Sequence, residues 1–353
     1  VNNNIPTANI DTITNLDVSE KNISDLTGIK DFVALTRLKL TNNQLTNLDI
    51  SKNTAIQILY CNFNQFSSLN LSANTALKTL YCNNNQLSSL DVSKNLALKT
   101  LNYSDNQLPN LDLSVNKALT SLFCSKNQLS SLNLSANTAL TQLNCDNNQL
   151  QSIDVSKNTA LGTFNCKNNQ LQILDLSKNI ALLYLYCDNN QITSLNVSKN
   201  TALTYLICAN NQLVNLDLRN GNNANIKQFN ATVNPNLTCI YVDDKTASYL
   251  SEWEKDETAK WANNEADCGT LVNEINEQTI SIYPNPTTGI LNIDFSGEQV
   301  QRLTISDVVG KKVFEKNKVN KTEAIDLSGF KNGIYMLIVQ TEDENRSFKI
   351  IKE

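Results

Sequence analysis

Seven cysteines occupy one repeat position: Cys61, Cys82, Cys124, Cys145, Cys166, Cys187 and Cys208, with Tyr103 standing where the series would place an eighth. Thiols in a row could hold metal ions, relay disulfides, or pack. Metal sites need several ligands converging on one point. Neighbouring in-register strands hold parallel Cβ vectors about 5 Å apart, which is poor disulfide geometry. Buried cysteine behaves as a small hydrophobe. The ladder therefore reads as core packing, with no metal and no cofactor implied. Tyr103 is the misfit, a bulky side chain in a slot sized for a thiol. It calls for local adjustment and for a partner to its hydroxyl.

Other chemistry is sparse. The chain has no histidine, which removes histidine triads, histidine metal sites and the commonest general acid-base group. No GxSxG and no phosphate-cradling glycine loop occurs, so the reading is not an enzyme. A second series, Asp49, Asp91, Asp112, Asp154, Asp175 and Asp217, with Asn70, Asn133 and Asn196 at the same position, could suggest a calcium ladder. Lysines two or three residues later are the simpler neutraliser. The formal net charge of −5 argues against a nucleic-acid footprint or a polybasic membrane patch. No run of 18 apolar residues is present, so no transmembrane segment is expected.

These residues are positioned by a repeat. Eight consecutive units of 21 residues start at Leu35, Ile56, Leu77, Leu98, Leu119, Leu140, Leu161 and Leu182. A ninth from Leu203 carries one extra residue, and a degenerate tenth begins at Asn225. Leucines at positions one, four, eleven and fourteen, cysteine at six and an aliphatic at sixteen form an inward set that no unit can bury alone. Positions three to seven alternate as a short strand, with four and six inward and three, five and seven outward. Stacked coils about 4.8 Å apart give a parallel sheet roughly 45–50 Å long. The far side has room for a short extended segment at "LDVS" and turns at "SKNTA", but little for a helix. Asn43, Asn64, Asn85, Asn106, Asn127, Asn148, Asn169, Asn190 and Asn211, at position nine, can satisfy backbone groups of their own turn and of the next coil. Gln44 through Gln212, at position ten, are as regular, with stacking and solvation both open as roles.

The phase is lost past Gly221. A stretch from about Ala247 to Trp261, rich in Glu and Lys, reads as helical and as the cap an open solenoid end requires. Short alternating strands separated by turn signals then follow, the pattern of a small β-sandwich. The divisions are 1–34 as a capping region with a variant repeat, 35–224 as nine repeats, 225–268 as degenerate repeat and cap, 269–280 as linker and 281–353 as sandwich.

The motif "LKTLYCNNNQL" (Leu77 to Leu87), with Cys replacing the third Leu, resembles the leucine-rich repeat family and specifically its secreted bacterial branch. "ISDLTGI" (Ile23 to Ile29) resembles bacterial surface repeats, and the likeness covers roughly Ile13 to Asp243. The fold class is thus a leucine-rich repeat solenoid with a parallel β-sheet on its concave face and little helix, followed by the sandwich. That last segment resembles the C-terminal sorting domain of the Bacteroidetes type IX secretion system. "YPNPTTG" (Tyr283, Pro284, Asn285, Pro286, Gly289), "DVVGKKV" (Gly310), "LSGFKNGIY" (Gly333, Tyr335) and "KIIK" (Lys349, Lys352) carry the likeness. It implies secretion machinery as a partner, carriage across the outer membrane and frequent removal of the domain. The expected location is secreted or cell-surface. Val1 opens without an initiator Met or leader, which reads as a signal peptide removed or a trimmed chain. In an exported chain Cys239 and Cys268, bracketing the cap, suit a disulfide closing about 30 residues, worth about 3 kcal/mol in the chain-entropy account. Free thiols are the alternative.

The ligand surface falls on outward positions of the concave sheet. Tyr60 and Tyr81, flanked by Arg37 and Lys39, lie near the N-terminal end, and Phe123 stands mid-way. Tyr184, Tyr186, Tyr205 and Ile207, with Asp188 and Asp146 nearby, form a C-terminal cluster. Exposed aromatics beside polar groups suit protein hot spots or sugar stacking; the bland reading is cross-strand pairs that stabilise the sheet. The functional reading is protein recognition or adhesion through this face. The alternatives are a carbohydrate-binding accessory of a polysaccharide-utilisation system and a structural surface component without a discrete ligand.

Overall fold

The computed structural model describes residues 10–268, 280–295, 300–307, 311–317, 319–341 and 345–353. The chain divides into two compact units, Val1–Cys268 and Gly269–Glu353.

In the first unit twelve parallel strands stack in one sheet. Most are three residues long, as in Thr79–Tyr81, Ser121–Phe123, Tyr184–Tyr186 and Tyr205–Ile207. The register places one repeat position in one column, so Leu80 lies between Leu59 and Leu101. The alternation is as the pattern requires. Leu80 and Cys82 are buried while Thr79 and Tyr81 are half-buried on the outer face. The sheet is longer than ten coils because Asn15–Asp17 joins it at one end and Glu254–Lys255 at the other.

Strand ends are closed by asparagine. The Asn148 amide donates to the carbonyls of Cys145 (3.1 Å) and Cys124 (3.0 Å), and its Oδ1 accepts the Leu129 N–H at 3.0 Å. Asn85 does the same with Cys82, Cys61 and Phe66. The neighbour served is the preceding coil, not the following one. The residue before each of these asparagines is left-handed: Asn84, Asn147 and Asn189 have φ of 54°, 55° and 57°. Asn tolerates that region because its short amide bonds locally. Phe63 (φ 54°) and Val233 (φ 58°) hold it without that help.

A second asparagine column was not singled out in the sequence. Asn53, Asn74, Asn95, Asn116, Asn137, Asn158, Asn179 and Asn200, in the turn after position sixteen, are all buried. Each amide spans two carbonyls of the preceding coil; Asn158 donates to Leu134 at 3.2 Å and Asn137 at 2.8 Å. Their Oδ1 atoms find no partner among the described residues. The aspartate series has a local use. Asp91, Asp154 and Asp175 accept the N–H of the serine two residues on, at 2.8, 2.8 and 2.9 Å, and Asn70 and Asn133 do likewise. These are Asx turns. The glutamine side chains at position ten are exposed, while the Gln86 N–H donates to the Phe66 carbonyl of the preceding coil.

"LDVS" segments form a ladder only at the C-terminal end, where Ser194–Asn196, Asn215–Asp217, Cys239–Tyr241 and Lys260–Ala262 make a second parallel sheet. The helix expected over Ala247 to Trp261 does not form. That segment is a short 3₁₀ turn, Ser248–Glu252, and then the strands Glu254–Lys255 and Lys260–Ala262. Both sheets of the last coil offer unpaired N–H and C=O groups, which an added strand satisfies and a helix would not. Apolar closure favours the same outcome. Trp253 stacks on Phe229 with ring centroids 4.6 Å apart, and Trp261 meets Trp253 edge-on at 5.8 Å. Cys239 and Cys268 are joined as a disulfide, their Cα atoms 5.5 Å apart. Arg219 adds a pin: it is bidentate to Asp217 (3.0 and 2.9 Å), donates to the Asn263 carbonyl and lies 4.6 Å over the Tyr241 ring.

The second unit is two antiparallel sheets. One contains Ser281–Tyr283, Ile290–Asp294 and Thr322–Asp326; the other contains Lys312–Asn317, Val300–Asp307, Gly333–Thr341 and Asn345–Lys352. Leu291, Ile293, Phe295, Leu303, Ile305, Leu337 and Val339 fill the space between them.

Candidate functional site

The cysteine column is sealed. Cys61, Cys82, Cys124, Cys145, Cys166, Cys187 and Cys208 are all buried free thiols. Burial pushes Cys82 and Cys124 up to about 12 and the others upward too. Such thiols carry almost no thiolate, the nucleophilic form, near neutrality. Tyr103 is fully buried among them, and its hydroxyl has no hydrogen-bond partner among the described residues. The partner that the sequence called for is missing, because the surrounding column offers apolar side chains and thiols. No group of three or more carboxylates or cysteines able to hold a metal ion occurs among the described residues.

What remains accessible is the outer face of the long sheet. Because strands stack in register, aromatic residues at one repeat position become neighbours. Tyr60 and Tyr81 lie side by side with ring centroids 5.0 Å apart. Lys39, in the preceding strand, sits 6.0 Å from the Tyr60 centroid and pairs with Asp17 at 3.3 Å. Burial, and then the Tyr60 phenol, raise the Tyr81 hydroxyl above its ordinary value. Phe123 lies alone between Asn102 and Asn144.

At the other end Tyr184 stacks on Tyr205, centroids 4.9 Å apart and planes at 25°. Tyr186 lies beside Ile207, two residues along the same strands. Burial first, and the Tyr205 and Tyr184 phenols after it, raise the Tyr186 hydroxyl. Leu183 and Ile180, just before this strand, are 41% and 61% exposed, which extends the apolar surface past the tyrosines. Asp188 accepts from the Asn189 amide at 2.6 Å, and Asp146 is held in the same way by Asn147. Asp146 is buried, which leaves Asp188 as the more accessible of the two.

Phe63 was overlooked in the sequence. It is 50% exposed and left-handed, in the coil that carries Tyr60. The available signal was an aromatic at a position otherwise occupied mainly by Asn.

In the C-terminal unit the motif residues converge on the terminal strand. The Asn285 amide donates to the Lys349 carbonyl at 2.7 Å, and the Ile351 N–H donates to Asn285 Oδ1 at 2.9 Å. The Thr287 N–H donates to the Ile351 carbonyl at 2.8 Å. Tyr283, Pro284 and Pro286 are exposed around this clamp, and the Gly289 N–H donates to Thr287 Oγ1. Gly333 opens the strand paired with Lys352, and the Tyr335 hydroxyl donates to the Lys331 carbonyl at 2.8 Å. Lys352 is buried and Lys349 exposed. Gly310 lies outside the described residues, as does the linker up to Thr279.

Comparison with known proteins supports both halves. Residues 281–353 match the family model of the secretion system C-terminal sorting domain. The chain is similar in structure to the functional domain of InlJ from Listeria monocytogenes, described as including a cysteine ladder: 24% identity, TM-score 0.60, covering 98% of this chain and 92% of that one. It is also similar to the internalin inlF from Listeria monocytogenes (22% identity, TM-score 0.56, 74% and 90%). A third likeness is to the leucine-rich repeat ectodomain of the plant membrane receptor kinase GASSHO1/SCHENGEN3 from Arabidopsis thaliana, solved in complex with CASPARIAN STRIP INTEGRITY FACTOR 2 (22% identity, TM-score 0.55, 68% and 32%). The first unit has the leucine-rich repeat fold. No curated protein matches the sequence. No helix among the described residues is long and apolar enough to cross a membrane.

Proposed function

We propose that this leucine-rich repeat solenoid, joined to a secretion sorting domain, is an exported binding protein that captures a protein partner on its concave sheet. The C-terminal cluster is the anchor, and the sorting domain delivers the solenoid to the cell surface or the medium. The observation that carries the reading is the stacked Tyr184–Tyr205 pair, continued by Tyr186 and Ile207 on one side and by exposed Leu183 on the other. Rigid aromatic anchors surrounded by aliphatic surface are the composition of interface hot spots. Every strand beneath them is paired on both sides, so the platform is ordered before a partner arrives, and little entropy is lost on binding. A solved ectodomain of this fold is itself in complex with a partner, CASPARIAN STRIP INTEGRITY FACTOR 2.

The test is cross-linking on intact cells followed by affinity capture. One defined protein is expected to be recovered with the parent chain and lost with Tyr184→Ala plus Tyr205→Ala at unchanged melting temperature. Equal recovery by that variant overturns the assignment of the anchor. Deletion of residues 281–353 is expected to leave the solenoid folded and hold it in the periplasm, and normal surface levels of the truncated chain would refute the export role.

A further inference from the structure

The two ends of the long sheet's outer face differ in chemistry. From the strand Asn15–Asp17 to the strand Ser121–Phe123, repeat positions two, three, five and seven carry Arg37, Lys39, Lys78 and Lys99. The only carboxylate at those positions is Asp17, already paired with Lys39. Arg37, Lys78 and Lys99 are exposed. Over the strands Gln142–Asn144 to Tyr205–Ile207 the same positions carry Asp146 and Asp188 against Lys167 alone. A chain of net charge −5 thus concentrates cations at one end of its outer sheet.

That basic end also holds the Tyr60–Tyr81 platform, with Ile58 and Thr79 two residues before the tyrosines, Asn83 two residues after Tyr81, and Thr100 and Asn102 in the next coil. Phe63, exposed in the same coil as Tyr60, is held at a cost. A left-handed L-residue without a compensating side-chain bond is disfavoured, and such strain collects at functional positions. Asn42 and Asn84, in the adjoining coils, show what the fold accepts there without strain.

We propose that this N-terminal end is a second binding site, for a carboxylate-bearing polysaccharide chain lying along the solenoid axis. Sugar rings stack on Tyr60, Tyr81 and Phe63, Thr and Asn side chains meet the hydroxyls, and Arg37, Lys39, Lys78 and Lys99 meet the carboxylates. Stacked coils stand about 4.8 Å apart, so the cations at Arg37, Lys78 and Lys99, two coils and then one coil apart, can meet separate carboxylates of one polymer. A peptide is the poorer fit. The strands under Tyr60 and Tyr81 are paired on both sides and leave no edge there for strand addition, so a peptide would have to bind through side chains alone. The site is separate from the protein anchor proposed above, and its variants do not overlap with it.

The probes are polygalacturonate and alginate, with a neutral glucan as control, in affinity electrophoresis of the full chain. Retardation by at least one of the two acidic polymers, weakening with added salt, and none by the glucan are expected. Tyr60→Ala plus Tyr81→Ala is expected to weaken it about ten-fold or more. Arg37→Gln plus Lys39→Gln should weaken it and flatten its salt dependence, whereas Tyr184→Ala plus Tyr205→Ala should leave it unchanged. Phe63→Asn is expected to raise the melting temperature while weakening retention, a combination that a merely structural Phe63 would not give. Failure of both acidic polymers to retard the parent chain overturns the proposal. So does retention that follows the Tyr184 and Tyr205 variants, or a protein partner whose capture is lost on Tyr60→Ala plus Tyr81→Ala.

Discussion

Asn285 and Ile351, 66 residues apart, are joined by a hydrogen bond of 2.9 Å from the Ile351 N–H to the Asn285 carboxamide oxygen. The same carboxamide donates to the Lys349 carbonyl at 2.7 Å. The terminal strand Asn345–Lys352 is an edge strand, and Asn285 occupies the groups that another strand would pair. Asn285→Ala should lower the stability of the second unit by about 1–2 kcal/mol, the net worth of two partly exposed hydrogen bonds. Urea denaturation of the full chain, followed through the second unit's transition, checks this.

Asn148 satisfies three carbonyls and one N–H in a buried turn. Asn148→Ala leaves several of these without partners, and about 3 kcal/mol or more of stability should be lost, since each orphaned buried group costs about 1–3 kcal/mol. Asn158→Ala, in the second column, should cost less, because its amide serves two carbonyls and its oxygen none. Urea midpoints of the two variants rank them.

Tyr103 separates two effects of burial. Removing the unpartnered hydroxyl in Tyr103→Phe should stabilise the solenoid by about 1 kcal/mol. Tyr103→Cys restores the thiol column but empties a ring-sized volume, and should destabilise by about 2–4 kcal/mol. A stability order of Phe over Tyr over Cys at this position is the expected result of chemical denaturation.

Stability should be flat between about pH 4 and 9 and fall on both sides. Hydrogen bonds from the following serine hold Asp49, Asp91, Asp112, Asp154 and Asp175 below their ordinary 3.8. A depressed carboxyl stabilises above its unfolded pKa and loses that contribution as pH falls through the folded one. Burial lifts the seven thiols above 9.0, Cys82 and Cys124 to about 12. A raised thiol contributes fully below 9 and loses it as pH climbs towards the folded value. Melting temperatures across pH 2–11 test both limbs, and replacing the five aspartates with Asn should flatten the acid limb alone.

Much of the molecule was legible because the repeat is its own evidence. A period of 21 with aliphatics at fixed places leaves one way to bury them, so the inward columns, the in-register sheet and the neighbouring of Tyr184 with Tyr205 follow from the spacing. The sorting-domain motifs were equally readable in order, yet their order says nothing of Asn285 reaching the terminal strand. The column from Asn53 to Asn200 is as regular as the cysteines, yet its burial is not legible in the repeat, since a polar residue in a turn looks solvated until the next coil covers it.

The sequence by itself determined the coil, the stacking and which faces point in, because periodicity and burial are properties of the chain read one unit at a time. Only the tertiary structure decided how the stack ends and where its polar atoms go. Ala247 to Trp261 has a helical composition, but the last coil presents open strand edges and Phe229, and pairing with those outweighs local propensity. The backbone strain at Phe63 and the unpartnered hydroxyl of Tyr103 arise in the same way, from neighbouring coils that fix a geometry to which the single residue must conform.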